Sequence, residues 1–378
     1  MHHFPTPTLT STRSVAILTG PSTHLDHLGV LSAILKIPLI VTEEKTFQLA
    51  KRYYPQIDVS LMDMSDLTMD FLCSQFDAIL ESGKFWALEL KPFMEMLYRK
   101  KMRFVFCPHG NSDKGHSLKE HPDQDVSLVY GDHLQDHLQK TGAMDKIRSV
   151  VATGNYRHPF YQQHKAFYDQ IAEEEIFSRF QQKRKTILYA PTWQDRENPT
   201  SFFQATEELI EQLSPTYNLL IKLHPFLIED HIGKVLSVQH RYENHPGVHF
   251  IDEFPPIYPL LNRCDIYLGD YSSIGYDFLA FDRPLYFYNP IEDTTIETTP
   301  RRYTGLATCG IEIPHAQKSN LNRFFEETLS RSQNDLSAVR KALYAYAFGK
   351  EKSPENLQKA IFEAMNTREG SVNLRSEE

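Results

Sequence analysis

The sequence is poor in cysteine and lacks the motifs that most directly indicate a redox or zinc site. Its 378 residues contain four cysteines, widely spaced and without a C-x-x-C pair. This usage predicts reduced, buried thiols in a cytoplasmic protein rather than a disulfide framework. There is no H-E-x-x-H motif either. His133 and His137 stand four residues apart, but the sequence shows no third ligand near them, so we expect no metal site.

Long apolar runs and an excess of positive charge are also missing. No run approaches the roughly 18–20 residues of a membrane-spanning helix, and the N-terminus has no signal-peptide pattern. The net charge of −9 argues against a nucleic-acid partner. Two short basic clusters, at 98–103 and 183–185, either touch anionic lipid or are solvated helix ends. We expect a cytoplasmic protein, either free or peripheral at the inner face of the cell membrane.

Three nucleotide and nucleophile signatures are absent. The chain has no Walker A loop, no G-x-G-x-x-G fingerprint between a strand and a helix, and no Gly-x-Ser-x-Gly elbow. These absences argue against P-loop NTPases, dinucleotide-dependent enzymes and serine hydrolases of the α/β type.

What the chain does contain is a regular alternation of short apolar runs and helical stretches. Such continuous runs are typical of strands buried on both faces of a parallel sheet, and their alternation with helices predicts right-handed βαβ units. The predicted strands are 14–18, 38–42, 57–61, 77–80, 103–107 and 126–130, then 186–190, 218–223, 248–251, 265–269 and 284–288.

The length suits two domains of about 150–200 residues each. We predict an α/β protein with two Rossmann-like, doubly wound domains facing a cleft, where ligands bind at the carboxyl ends of the strands. Residues 1–157 would form the N-terminal domain. Residues 158–366 would form the C-terminal domain with its terminal helices, and the polar segment 367–378 would be a disordered tail.

The first candidate site is "GDYSSIGYDFLAFDRPLYFY", residues 269–288, where a predicted strand meets a helix. Ser272 or Ser273 would be the N-cap, and Asp277 would lie on the first turns. Because a helix N-terminus presents unpaired N–H groups and positive charge, it can bind a phosphate. Taken alone, the stretch is more simply explained as a capped helix that binds nothing.

Two further motifs follow predicted strands of the second half. "KLHP" places Lys222 and His224 at a strand end, where a histidine can donate, accept or transfer a proton, or simply bind a loop carbonyl. "YAPTWQD" places Thr192 after strand 186–190, and Trp193 beside it is either a core residue or a pocket wall.

The first half offers histidines in the same position relative to its strands. "CPHGNSDKG" follows strand 103–107 with His109, a candidate general base, and with Gly110, which would allow close approach. "GPSTHLDHLG" follows the first strand with Ser22, His24 and His27, which are candidates for acceptor contact or for loop packing.

In combination these motifs resemble the CDP-glycerol glycerophosphotransferase family, which includes teichoic-acid polymerases and primases. HG, YAPTW, KLHP and DYSS occur in that order, and "VATGNYRHPFY" (151–161) looks like the family's Gly-x-Pro-Arg segment with Tyr156 in place of proline. "YAFGKEKSPENLQKAI" (346–361) looks like its C-terminal segment. Departures include Gln194 after Thr–Trp and Gly269 before Asp–Tyr–Ser–Ser.

The resemblance implies a glycosyltransferase-B (GT-B) type fold and an enzyme of teichoic acid biosynthesis in the cell envelope. Such an enzyme moves glycerol phosphate from CDP-glycerol to an acceptor hydroxyl of a surface polymer or lipid-linked glycan and releases CMP, without a required metal or other cofactor. The alternative is a GT-B glycosyltransferase that uses a nucleotide sugar. By resemblance, residues 1–157 form the acceptor-side domain and residues 158–366 the donor nucleotide-binding domain. His109 is then the base, and His224 binds the pyrophosphate. The resemblance assigns contacts with the donor or its phosphates to Thr192, Lys222, Ser272, Ser273, Asp277 and Arg157. Asp270 would orient a loop.

Overall fold

The computed structural model describes residues 13–83, 85–113, 118, 121, 123–193, 200–251, 253–270, 272–289 and 305–366. These residues fall into two compact units. The first unit comprises the chain up to Phe160 and again from Tyr346 onwards, and the second unit is Tyr161–Ala345. The predicted disordered tail, 367–378, lies outside the described residues.

The strands and helices alternate as the sequence predicts. The strands are β1 Ser14–Leu18, β2 Leu39–Val41, β3 Val59–Leu61, β4 Ala78–Glu81, β5 Arg103–Phe106, β6 Val126–Val129, β7 Val150–Ala152, β8 Thr186–Ala190, β9 Asn218–Lys222, β10 Val248–Ile251, β11 Ile266–Gly269, β12 Leu285–Phe287 and β13 Ile311–Glu312. The helices are α1 Leu28–Leu35, α2 Glu44–Tyr53, α3 Met69–Gln75, α4 Lys91–Tyr98, α5 Asp132–Lys140, α6 Arg157–Gln163, α7 Lys165–Glu175, α8 Phe202–Leu213, α9 Pro225–Tyr242, α10 Tyr258–Arg263, α11 Ser273–Phe278, α12 Leu321–Asn334, α13 Ser337–Phe348 and α14 Pro354–Asn366.

Each unit is built on one parallel sheet. The first has the strand order β3-β2-β1-β4-β5-β6-β7, and the second has the order β10-β9-β8-β11-β12-β13. Both follow the doubly wound pattern, in which the order reverses beside the first strand. The predicted fold class of two Rossmann-like α/β domains is therefore confirmed. The reversal points lie between β1 and β4 and between β8 and β11, and such points are where open α/β sheets bind ligands.

Buried apolar runs explain why the strands were predictable. All five residues of β1 and of β8 are buried, as expected for central parallel strands covered by helices on both faces. The sequence did not reveal β7 and β13. These two strands are only two or three residues long and mostly half-buried, so neither carries a continuous apolar run.

The segment between β4 and β5 contains two different kinds of helix in succession. A π-helical turn, Trp86–Leu90, leads directly into α4. Pro92 has no N–H to donate to the preceding turn, so the regular α-helical ladder cannot run through it. Arg99 then ends the helix with a left-handed φ of 51°.

The last helix belongs to the first unit, whereas the sequence placed all residues up to 366 with the second domain. The chain returns to the first unit within α13. Leu357, Ile361 and Met365 of α14 are buried, and the Gln358 side chain donates to the carbonyl of Leu35 at the end of α1. An amphipathic pattern shows that a helix has a buried face, but not which sheet covers it.

The segment before α14 covers the ends of β6 and β7. A Cβ atom on Gly131 would lie 2.8 Å from the carbonyl oxygen of Ala347, and one on Gly154 would lie 3.0 Å from that of Lys350. The two glycines therefore allow residues 347–351 to pack directly on the loops that follow these strands.

Candidate active site

Three predicted motifs meet at one edge of the second sheet. YAPTW, KLHP and DYSS follow β8, β9 and β11, which are adjacent strands in the order β9-β8-β11. In the parallel register Ala190 pairs with Gly269, and Tyr189 pairs with Ile221. All three motifs therefore leave the sheet at its carboxyl edge, at the point where the strand order reverses.

Asp270 ties two of the loops at this edge together. One carboxylate oxygen accepts the backbone N–H of Thr192 at 2.6 Å, and the other accepts that of Ser201 at 2.7 Å. The residue is buried, with 5% exposure. Its oxygens are used on the protein backbone, which confirms that Asp270 orients loops.

Ser272 is the N-cap of α11, and Ser273 is its first residue. Ser272 is buried and Ser273 is half-buried. A Cβ on Gly269 would lie only 2.7 Å from Cζ of the fully buried Tyr267, so the strand can leave the sheet here only without a side chain. This close packing explains why glycine stands before Asp–Tyr–Ser–Ser in this chain.

His224 is held in one tautomer. It is the N-cap of α9, and its Nδ1 accepts the backbone N–H of Phe226 at 3.2 Å. The ring proton therefore resides on Nε2, which can donate a hydrogen bond. The ring stacks on Trp193 with centroids 6.0 Å apart, so Trp193 forms the wall beside KLHP while packing partly against the core.

The other predicted donor residues have defined partners. Lys222 is half-buried, and its ammonium donates to the carbonyl of Phe254 at 3.2 Å. Thr192 is buried, and its backbone is bound by Asp270. Asp277 of α11 is buried and accepts the hydroxyl of Tyr258 of α10 at 3.0 Å, so it joins these two helices, and its contact with the donor stays a prediction.

In the first unit, His109 follows β5 and its side chain is exposed. Its ring stacks on that of His24, which follows β1, with centroids 4.3 Å apart and planes 18° from parallel. Gly110 has a φ of 146°, a value that residues with a Cβ rarely adopt. The sequence placed both histidines at strand ends, and the structure brings them into contact.

His27 lies inside the first unit beneath these residues. It is buried, and its Nδ1 hydrogen-bonds the hydroxyl of Tyr130 at 2.7 Å. That hydroxyl donates to the carbonyl of Pro108 at 2.8 Å, which fixes the residue next to His109. Burial, followed by the charges of Arg157 and the neighbouring histidines, holds the pKa of His27 well below its ordinary value. His27 is thus a neutral positioning residue rather than an acceptor contact.

Arg157 does not fit its predicted contact with the donor phosphate. Its side chain is 1% exposed and forms an ion pair with Asp26 at 3.0 Å, within the first unit. Asp26 also accepts the hydroxyl of Tyr54. The buried pair anchors the loop that carries His24. Sequence reasoning missed Asp26, although it stands between the two histidines of that loop.

Tyr156 stands at the proline position of the Gly-x-Pro-Arg segment. Its hydroxyl donates to the carbonyl of His27 at 3.3 Å and contacts the thiol of Cys107. Burial raises the pKa of that thiol to about 11, so Cys107 is not a nucleophile near neutral pH.

Ser22 is half-buried at the start of a 3₁₀ turn, and its acceptor contact stays a prediction. Gln194 lies outside the described residues.

Several solved structures share this fold. The wall teichoic acid polymerase TagF matches with a TM-score of 0.62 over 95% of this chain and 89% of that chain, at 15% identity. A UDP-GlcNAc 2-epimerase from Neisseria meningitidis, bound to UDP-GlcNAc, matches with a TM-score of 0.53 over 93% and 98% of the two chains, at 16% identity. At such identities the likeness concerns the fold alone.

Comparison of the sequence with curated proteins is more specific than the comparison of folds. A teichoic acid glycerol-phosphate primase of Bacillus subtilis is 33% identical over 110 residues, which are 28% of this chain and 26% of that protein. A teichoic acid poly(ribitol-phosphate) polymerase of Bacillus spizizenii is 25% identical over 179 residues, 45% of this chain and 27% of that protein. The chain thus spans about a quarter of the length of the curated relatives it matches.

The family profile described as CDP-glycerol:poly(glycerophosphate) glycerophosphotransferase covers residues 107–306, just over half of the chain. This span begins two residues before His109 and includes Thr192, His224 and the serines of α11. The chain belongs to the CDP-glycerol glycerophosphotransferase family.

Proposed function

We propose that the protein transfers glycerol phosphate, or a similar polyol phosphate, from a CDP-activated donor to an acceptor hydroxyl. The acceptor would be a cell-surface polymer or a lipid-linked glycan, and CMP would be released. Family membership supports the reaction type. The observation that carries the proposal is that the Asp270–Thr192 hydrogen bond and the Trp193–His224 ring contact link the loops at three adjacent strand ends of the second unit, where Ser272 and Ser273 begin α11.

In the proposed step the acceptor oxygen attacks the phosphorus that bears the glycerol. A new phosphorus–oxygen bond forms, and the bond from that phosphorus to the bridging oxygen breaks, so the bridging oxygen leaves with CMP. His109 would take the proton of the acceptor hydroxyl. Its exposed position suits this role, and its stacking on His24 limits the orientations of the ring.

The second unit would hold the donor phosphates. His224 can donate from Nε2 to a phosphate oxygen, because its Nδ1 is already used as the helix cap. Lys222 adds positive charge, and the N-terminus of α11 with Ser272 and Ser273 adds N–H and O–H donors. Phosphoryl transfer depends mainly on such positioning and charge stabilisation.

We propose that these groups carry the transfer step without a magnesium ion or another cofactor. Turnover should then be the same with and without added magnesium. A large increase in rate on adding magnesium would contradict this part of the proposal.

A donor panel tests the reaction type. The protein would be incubated with CDP-glycerol, CDP-ribitol and common nucleotide sugars, together with a synthetic lipid that ends in glycerol phosphate, and nucleotide release would be followed. We expect CMP release together with incorporation of label from a CDP-alcohol into the lipid. Release of a nucleoside diphosphate from a sugar donor would instead identify a glycosyltransferase.

A substitution in the first unit, with a control substitution in the second, adds to that test. His109→Ala should lower turnover by about 10²–10⁴-fold, since it removes a general base. The matched control is His240→Gln, an exposed histidine on α9 that lies outside the proposed site. Activity of His109→Ala equal to that of the control would remove His109 from the mechanism.

We also propose contact with the surface of an anionic membrane through the segment 85–98. Its exposed large apolar side chains are Phe85, Leu88, Phe93, Met96, Leu97 and Tyr98. The exposed side chains of Arg99 and Lys101 follow directly, whereas Lys100 is paired with Asp77. An exposed apolar helix face beside basic residues suits the interface between headgroups and acyl chains. Among the described helices none is long and apolar enough to cross a bilayer.

Vesicle sedimentation tests this contact. Wild-type protein should sediment with vesicles of phosphatidylglycerol and phosphatidylcholine, and Met96→Glu/Leu97→Glu should reduce the bound fraction strongly. Val339→Glu is the control, because Val339 is an exposed apolar residue on α13, outside this segment. Equal binding of both variants would contradict the proposal.

A further inference from the structure

The first unit contains a group of side chains with the composition of a metal site. His133 and His137 lie on one face of α5, four residues apart, and Asp113 reaches them from the loop after β5. One ligand atom from each residue lies within 4.8 Å of the others. The sequence shows the histidine pair but not the carboxylate, which is 20 residues away from His133 along the chain.

Hydrogen bonds fix the protonation of one ring nitrogen, Nδ1, of the buried His133. The Asn111 amide nitrogen donates to the carbonyl of Ala347, which turns the amide oxygen toward Nδ1 of His133 at 2.9 Å. Nδ1 must therefore carry a proton. A histidine that donates from one ring nitrogen to an oxygen while the other nitrogen faces a ligand site is the usual arrangement of metal-binding imidazoles.

The other nitrogen of this ring faces a carboxylate. Nε2 of His133 lies 2.9 Å from Oδ1 of Asp113, and the two side chains are 4% and 22% exposed. Two acceptor atoms approach so closely only when a proton or a metal ion lies between them. Zinc bonds of about 2.0–2.2 Å at tetrahedral angles place two ligand atoms roughly 3.4 Å apart, so these two atoms would separate by only about half an ångström to bind the ion.

His137 distinguishes these two occupants. Its ring stacks on that of His133, with centroids 5.0 Å apart. A hydrogen bond between His133 and Asp113 needs no second imidazole. A metal ion, by contrast, uses the neutral imidazole as a further ligand. Asp132 and Asp136 lie on the same helix and add negative charge.

We propose that Asp113, His133 and His137 bind a divalent transition-metal ion, with Zn²⁺ as the preferred ion. Two imidazoles and one carboxylate favour zinc over magnesium or calcium, which prefer oxygen ligands. Bound zinc would clamp the loop that carries His109 to α5, because Asp113 lies four residues after His109. This proposal is independent of the proposed transfer reaction and of its donor.

The test uses the full chain without an affinity tag, stripped of metal and titrated with Zn²⁺ against a chromophoric chelator. We expect one high-affinity site per chain and a melting temperature raised by about 5–10 °C when zinc exceeds its Kd about 100-fold. Cobalt(II) should give visible absorption bands, whereas magnesium should produce no shift in melting temperature.

Two variants locate the ion. Asp113→Asn and His137→Gln should each weaken zinc binding by about 100-fold or more, and His240→Gln should leave it unchanged. Neither Asp113 nor His137 is fully buried, so these variants should fold, and circular dichroism of the metal-free forms checks this. Wild-type affinity in both variants, or no site in the wild type, would overturn the proposal and leave only a hydrogen bond between His133 and Asp113.

Discussion

The carboxylate of Asp270 binds the backbone of Thr192 across the point where the strand order of the second sheet reverses. One buried acid thereby sets the distance between the loop after β8 and the loop that leads into α11. These two loops carry Thr192 and the serines that we assign to the donor phosphates.

Replacing this acid should uncouple the loops. In Asp270→Asn one acceptor oxygen becomes an amide that faces a backbone N–H, so we expect the free energy of unfolding to fall by about 1–3 kcal/mol. The KM for the donor should rise as well. Asp265→Asn is the matched control, because Asp265 also accepts a backbone N–H, from Thr186, but at the opposite end of the same strand.

Denaturant unfolding and donor kinetics separate the two effects. Both variants should lose stability, but only Asp270→Asn should raise the donor KM. A raised KM in both would mean that the site responds to loss of stability in general rather than to the bond with Thr192.

Gly269 should not tolerate a side chain. In Gly269→Ala the new Cβ would overlap the ring of Tyr267, which is fully buried and cannot move aside freely. We expect a loss of about 1–3 kcal/mol in the free energy of unfolding, typical of overpacking. In Gly233→Ala, on α9, a Cβ would meet no atom within 4 Å, so that variant should be as stable as wild type or slightly more so. Thermal unfolding of the two variants compares them directly.

The two roles of His224 should separate by substitution. His224→Ala removes both the helix cap and the Nε2 donor, so turnover should fall by about 10²–10³-fold and stability by about 1 kcal/mol. His224→Asn should restore the cap, because asparagine is a good N-cap residue, but not turnover. Melting temperature and kcat measured on both variants test this. Wild-type turnover in the asparagine variant would show that His224 is needed only as a cap.

Acid should destabilise the protein through its buried histidines. Burial keeps the pKa of His27 well below its ordinary value, and burial followed by the charge of His109 lowers that of His121 to about 3. The unfolded chain takes up these protons below pH of about 6.5, whereas the folded chain resists them. Stability should therefore fall as the pH drops from 6.5, by up to about 1.4 kcal/mol per unit for each histidine.

Urea unfolding at pH 7.5, 6.5 and 5.5 measures this slope. His121→Gln keeps a polar group beside Ser127 but removes one titrating ring, so its slope should be shallower. An identical slope in wild type and variant would show that other groups dominate the acid response.

The sequence predicts most strands and the motifs at their ends, because central parallel strands are continuous apolar runs and His109, Thr192 and His224 directly follow such runs. Contacts between segments that are far apart in the sequence could not be predicted from such runs. Arg157 looked like a phosphate ligand, since nothing in a linear pattern shows that Asp26 neutralises it 131 residues away. For the same reason the sequence pattern did not show that Asp113 lies beside His133, and it placed α14 with the second domain instead of the first.

The return of the chain to the first unit has a consequence for synthesis on the ribosome. Gly131 and Gly154 sit beneath residues that are made about 200 positions later, and α14 closes over α1, near the start of the chain. The first unit therefore lacks α14 until residues 354–366 have been made, although its seven strands precede residue 153. Its sheet must wait without this helix while the second unit, Tyr161–Ala345, is synthesised, and a chain cut before Tyr346 would contain both sheets but leave α14 missing from the first unit.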